Sequence, residues 1–271
     1  MQKKVPLQDV PPGESSPLAF AVSERDRQTI AMVRDALAHG RLRLAYQPVV
    51  LSADTSRIGF YEGLMRVLDP AGRVIPARDF MPAVEAHQIA REIDCAALTM
   101  GLATLVQQPQ IRLSVNMSAR SIGYPKWTGI LRKALHANPG VGERLILEIT
   151  ETSAMLVPEI VVAFMDSLQA EGVAFALDDF GAGFTAIRYF KDFSFDIVKI
   201  SGHFIGNIHA DADNQVVTAA LLAIARQFDM MCMGGIRRTS GRCRISAGAG
   251  CGLFARLSVR HADGGSGLDS R

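Results

Sequence analysis

Five apolar runs in this chain each close on an acid, an amide or a lysine, at the spacing of successive strands in one barrel. They are Ile58–Arg66 with Glu62, Arg112–Ser118 with Asn116, Arg144–Thr152 with Glu148, Val173–Gly181 with Asp178 and Asp179, and Phe195–Gly202 with Lys199. Each run is long enough for one strand buried on both faces, and gaps of about 20–50 residues leave room for a crossover helix. In a (β/α)8 barrel the chemistry sits at the C-terminal ends of the strands, so these side chains are expected to converge on one mouth. Four acids, an amide and a lysine gathered there suit hard divalent cations and a phosphate ester.

The bulk properties agree. At 271 residues and 48% hydrophobic content, the chain matches a single α/β barrel, a fold of roughly 250 residues. No stretch approaches the roughly 18 apolar residues of a membrane span, and Met1–Ala19 lacks the apolar core of a secretory signal. A cytoplasmic location with no membrane partner is expected. Cys95, Cys232, Cys243 and Cys251 form no C-x-x-C pair, which reads as free thiols rather than a zinc site. The net charge of +2 hides two halves. Residues 234–271 hold seven arginines against two aspartates, whereas the preceding 233 residues hold 22 basic against 25 acidic. The positive balance therefore belongs to the tail, and no nucleic-acid partner is expected for the body.

Three regions follow: a disordered leader over 1–20, a barrel domain over 21–233, and a Gly/Arg-rich tail over 234–271. The first helix is predicted at Ser23–His39, with Ser23 as N-cap, Glu24 and Asp26 in the first turn and Gly40 at the stop. Arg41–Val50 alternates as a strand. Further helices are predicted at about Ala77–His87, Ile89–Val106, Trp127–Ala137, Glu159–Glu171 and Asn214–Gln227, with a short helical turn at Ala186–Phe190 and a new apolar run at Met230–Met233. This alternation of strand and helix is that of a parallel sheet with right-handed crossovers. After Met233 the periodicity stops. The last 38 residues hold nine glycines, no glutamate occurs after Glu171, and no strand or helix is expected there. Either a natural disordered tail or a sequence read out of its ancestral frame has this composition, and the abruptness of the change at Gly234 favours the second.

The motifs themselves resemble a known family. Tyr46-Gln47-Pro48 followed by Glu62-Gly63-Leu64-Met65-Arg66 is similar to the opening of the EAL domain, the cyclic di-GMP phosphodiesterase family. Asn116-Met117-Ser118, Glu148-Ile149-Thr150-Glu151-Thr152, Asp178-Asp179-Phe180-Gly181-Ala182-Gly183-Phe184 and Asp196-Ile197-Val198-Lys199-Ile200 resemble its later motifs in the family's order. The resemblance implies a TIM-type (β/α)8 barrel of the EAL kind. It implies Glu62, Asn116, Glu148 and Asp178 as ligands of a first Mg2+ or Mn2+, and Asp179, with Asp178, as holding a second. Lys199 is implied beside the attacked phosphate and its water, with Gln47, Leu64 and Arg66 contacting cyclic di-GMP. Asp178–Phe184 would open a loop that closes over the metals and couples to homodimer formation, and Glu151 would steady that loop. Adjacent residues on a strand point to opposite faces, so Asp179 is expected to serve only where the strand has left its regular path.

The chain also departs from the family. A glutamate-bearing segment belongs on the seventh strand, where this chain reads Gly234-Gly235-Ile236-Arg237-Arg238 without an acid, and the eighth-strand motif is unrecognisable. Ser201 replaces an aspartate after the lysine motif, and Thr185-Ala186 replaces a pair of serines. The expectation is a barrel with its last one or two βα units missing or disordered. It is a phosphodiesterase family member that hydrolyses cyclic di-GMP to pGpG weakly or not at all, the alternative being a non-catalytic cyclic di-GMP-binding or protein-interaction module.

Overall fold

Ser16 opens the first helix, α1 (Pro17–Ala38): its hydroxyl accepts the Ala19 amide at 3.1 Å and a proline occupies the first turn. The helix thus begins well before the predicted cap at Ser23, because a serine followed by proline is the stronger start signal. Residues 17–20, expected in a leader, are its first turn. A computed structural model of the chain describes residues 16–51, 54, 56–183, 187–206, 208–236 and 254–257. The rest of the expected leader and most of the expected tail lie outside the described residues.

After α1 come β1 (Leu42–Leu51), β2 (Ile58–Leu68), β3 (Val74–Pro76), α2 (Ala77–Val84), α3 (Ile89–Gln107), β4 (Leu113–Asn116), α4 (Pro125–Ala137), β5 (Leu145–Thr150) and α5 (Glu151–Ala154). The chain continues through α6 (Pro158–Gln169), β6 (Ala174–Phe180), β7 (Ile197–Ile200), α7 (Gly202–Ile205), α8 (Ala212–Gln227), β8 (Met231–Ile236) and β9 (Phe254–Leu257). Strands β2, β4, β5, β6, β7, β8 and β9 pair in that order, each parallel to the next. β1 is antiparallel to β2 on one side and to β9 on the other. The small β3 pairs with the upper part of β2. This is a TIM-type barrel whose first strand runs against the others.

The expectation of no strand after Met233 is corrected. β8 continues to Ile236, and β9 pairs Phe254 with Met233 on β8 and with Leu51 on β1. The free N–H and C=O groups on the facing edges of β1 and β8 demand partners, and a four-residue strand supplies them. Residues 237–253 between β8 and β9 lie outside the described residues. Among the described residues no helix follows α8.

Two apolar cores organise the layers. The larger lies between the sheet and its helices and includes Phe175, Leu147, Val115, Leu98 and Trp127. There the rings of Trp127, Phe164 and Phe175 follow one another at centroid separations of 5.8 Å and 5.8 Å. The smaller is a plug inside the barrel made of Val49, Phe60, Ile146, Ala176, Ile197 and Met233. Because a strand repeats every two residues, the side chain two positions further along each strand sits on the same inward face. Those positions are Glu62, Glu148, Asp178 and Lys199 on the parallel strands. On β1, which runs the other way, Gln47 lies two before Val49. The plug closes the barrel below, and the polar layer rests directly on it.

Among the described residues Cys95 and Cys232 are buried thiols, and no helix is long and apolar enough to cross a membrane. Helix α3 lies tight on the sheet at Gly101, where an added Cβ would meet Val115 Cγ2 at 2.7 Å and Leu113 Cδ2 at 3.4 Å. Helix propensity alone favours alanine there by roughly 0.5–1 kcal/mol, but a β-branched neighbour cannot swing away. Gly101→Ala is expected to lower unfolding stability by about 1–2 kcal/mol net, read by urea denaturation; a gain in stability would contradict this packing.

Candidate functional site

Lys199 stands at the centre of the barrel mouth, 7% exposed. Its Nζ donates to Glu148 Oε2 at 2.6 Å and to Glu62 Oε1 at 2.9 Å, and lies 3.2 Å from Asp178 Oδ1. The four groups come from β7, β5, β2 and β6, so only closure of the sheet brings them together. Glu148 and Glu62 are buried, at 1% and 2% exposure. Burial pushes the Glu148 carboxyl up to about 7; Lys199 pulls it down, while Glu62 and Asp178 push it further up. Burial by itself would lower Lys199, yet the carboxylates of Glu148, Asp178 and Glu62 outweigh it and hold the ammonium well above its ordinary value. One cation therefore faces three acids, and Glu148 Oε1 is buried without a hydrogen-bond partner.

A bulge in β6 falls at the two adjacent aspartates. Leu177 pairs with Val198, but the next pair is Phe180 with Ile200, so three steps on β6 match two on β7. Asp179 takes up the extra residue at φ 56°, a left-handed conformation that aspartate tolerates better than most residues. Its amide donates to Asp178 Oδ1 at 3.0 Å. Partial burial, and then the neighbouring Asp178 carboxylate, raise the Asp179 carboxyl above its usual range. Beyond the bulge the backbone turns at Gly181, φ 90°, where an added Cβ would meet Leu221 Cδ1 at 2.9 Å. The buried Glu151 accepts the amides of Gly181 at 2.8 Å and Gly183 at 3.4 Å through one oxygen, Oε2. It is the first residue of α5, capped by the Thr150 hydroxyl, which accepts the Ser153 amide.

Asn116 closes β4 opposite Glu148 in the parallel register. Gln47 on β1 lies opposite Glu62. Leu64 and Arg66 follow Glu62 on the same face of β2 toward the open end; Arg66 also donates to the Met65 carbonyl at 2.9 Å. By strand register Gln47 and Asn116 are level with Glu62 and Glu148, and Leu64 and Arg66 lie further along β2. Asp94 and Ser153, which hold the loop after β4, were not singled out from the sequence. The available signal was an acid inside the buried stretch Ile93–Leu98 of α3.

The donor set suits a hard cation: carboxylate and amide oxygens, an excess of negative charge, and one buried oxygen with no partner. It is not arranged as a ready metal cage, since among the described residues no group of three or more acids, histidines or cysteines is so placed. Lys199 Nζ instead contacts three of these acids. On β8, Met233 faces the plug, and Gly235 is the next residue on that inward face, leaving this strand without an acid at the mouth.

Residues 30–253 match the EAL domain. A bifunctional diguanylate cyclase/cyclic di-GMP phosphodiesterase, MucR of Pseudomonas aeruginosa, is 28% identical over 236 residues, covering 85% of this chain and 34% of that protein. The cyclic di-GMP phosphodiesterase PdeB of Shewanella oneidensis is 27% identical over 198 residues, covering 72% of this chain and 23% of that protein. The chain thus spans about a quarter to a third of the length of these relatives. Among solved structures, the PaMucR phosphodiesterase in complex with c-di-GMP superposes with a TM-score of 0.71 at 27% identity, over 84% of this chain and 94% of that one. The FimX EAL domain of Pseudomonas aeruginosa bound to c-di-GMP shares the fold, with a TM-score of 0.71 at 24% identity, over 84% of this chain and 93% of that one.

Replacing Lys199 by methionine would leave the acids around it with no cation. At pH 8 Lys199→Met is expected to cost about 3–5 kcal/mol of unfolding free energy, the typical penalty for breaking a buried ion pair. The folded-state pKa of Glu148 lies above its unfolded value, so its contribution is most favourable below about pH 4.5 and is lost as pH rises through about 7. The penalty should therefore shrink at pH 5, where Glu148 carries a proton. Urea unfolding of the variant and its parent at both pH values measures this, and equal penalties would contradict it.

Proposed function

The chain belongs to the EAL domain family, and on that premise we propose that its barrel mouth binds cyclic di-GMP with Mg2+ or Mn2+ and hydrolyses one phosphodiester bond slowly, giving linear pGpG. The observation that carries this reading is the buried Lys199 in contact with three carboxylates from three other strands. Glu62, Asn116, Glu148, Asp178 and Asp179 would hold the cations. Bound there, two such ions would supply positive charge to the phosphoryl oxygens and acidify water.

The chain's own residues divide the remaining work. Arg66 and Gln47, above and beside Glu62 in the strand register, would contact phosphate and base, and Leu64 would offer an apolar surface between Glu62 and Arg66. The carboxylates of Glu148, Asp178 and Glu62 favour the Lys199 ammonium, a positive charge suited to stabilising developing negative charge. Glu151 fixes the backbone after β6 through Gly181 and Gly183, which keeps Asp178 and Asp179 in place. No acid on β8 stands ready to take the proton of the attacking water, and loss of a general base lowers rates by about 10²–10⁴. Slow turnover follows.

That same gap on β8 favours a second reading, a receptor that binds cyclic di-GMP without cleaving it. Incubating the purified chain with cyclic di-GMP and Mn2+, then chromatographing the nucleotide, separates the two. Recovery of pGpG, abolished in Asp178→Asn, is the expected result. Binding with intact nucleotide recovered makes the chain a receptor, and no binding at tens of micromolar overturns both. If the missing acid is the limitation, Gly235→Glu should raise turnover by about 10²–10⁴, measured under the same conditions.

A further inference from the structure

Asp94 lies on the buried face of α3 beside Ile93, Ala97 and Leu98, and is only 6% exposed. Its Oδ2 accepts two hydrogen bonds, from the Ser121 hydroxyl at 2.6 Å and from the Ser118 amide at 3.0 Å. Both donors belong to the loop that follows β4, and Ser118 comes two residues after Asn116. Between them the Ala119 amide donates to Ser153 Oγ at 2.8 Å. Ser153 lies in α5, whose first residue Glu151 holds Gly181 and Gly183. The far end of the same loop is also tied to α3, through the Tyr124 hydroxyl donating to Glu92 Oε1 at 2.7 Å. A line of buried and half-buried hydrogen bonds thus runs from α3 through the loop after β4 to α5 and the turn after β6.

We infer that Asp94 is a positioning residue for the barrel mouth: it pins the loop after β4 and so fixes Asn116 and, through Ser153, the α5 turn that carries Glu151. This rests on the metal-site reading above. Asp94 touches neither the mouth nor anything bound there; it acts only through the backbone it holds. Burial raises its carboxyl to about 6 in spite of both hydrogen bonds, so α3 keeps an acid where an apolar residue would pack at no such cost. Because both donors meet one oxygen, asparagine can accept both, whereas alanine can accept neither and leaves the Ser118 amide and Ser121 hydroxyl buried without it.

The test compares the full chain with Asp94→Ala and Asp94→Asn by amide hydrogen exchange and by titration with Mn2+ alone. In Asp94→Ala the amides of 118–121 and of Gly181 and Gly183 should exchange about tenfold faster or more, and Mn2+ affinity should fall about 10–100-fold. Asp94→Asn should restore both. Unchanged protection of these amides in folded Asp94→Ala, or an Asp94→Asn variant as disturbed as Asp94→Ala, overturns the inference. Should Asp94→Ala not fold, Ser121→Ala removes one donor alone; an intermediate acceleration supports the inference and parental exchange overturns it. A parent chain that binds no Mn2+ would overturn the metal-site reading instead, with the exchange result still deciding the role of Asp94.

Discussion

A lysine buried among three carboxylates is the constraint around which this barrel is arranged. An ammonium ion removed from water is costly by several kcal/mol unless it is closely paired, and Lys199 is paired with Glu148, Glu62 and Asp178 from three separate strands. The pairing requires that β2, β5, β6 and β7 curve around a common axis. It also requires a dry floor, which Phe60, Ile146, Ala176 and Ile197 provide one layer below. One positive charge does not balance three acids, so the layer keeps a proton on Glu148 to about pH 7 and retains a buried oxygen with no partner. A site left negative in this way attracts cations.

Backbone irregularity then sets where the acids point. In a regular strand Asp178 and Asp179 would face opposite sides, but the extra residue in β6 and the left-handed φ of Asp179 break that alternation. Such a bulge needs an external clamp, and Glu151 supplies it by accepting two backbone amides just beyond. Asp94 plays the corresponding part below the loop after β4. Two buried acids that never face the mouth thus fix the backbone at the ends of β4 and β6.

The helices, the parallel strands and the acids of the mouth were legible because each depends on local pattern. β5, for example, runs from Leu145 to Thr150 as its apolar run indicates. The start of α1, β9 and Asp94 depend on more than local pattern. The start of α1 moved to Ser16 because a serine before proline caps better than Ser23, a competition that periodicity does not register. β9 could not be read from its own residues, since Phe254–Leu257 is a strand on account of the unpaired edges of β1 and β8 rather than of any period. Asp94 is not legible in the sequence, because an acid inside an apolar helix carries no label for what it holds.

Sequence alone determined which residues share a face. Period-two alternation places Glu62, Glu148, Asp178 and Lys199 each two positions beyond a plug residue, and that relation holds for any barrel built from these strands. It also determined that β8 brings glycine rather than an acid to the mouth. Only the tertiary structure decided that these faces meet, that Lys199 Nζ lies within 3.2 Å of three carboxylates, and that burial pushes the Glu148 carboxyl up to about 7. Charge state and distance depend on burial and on neighbours far apart in the chain, and neither exists until the sheet has closed.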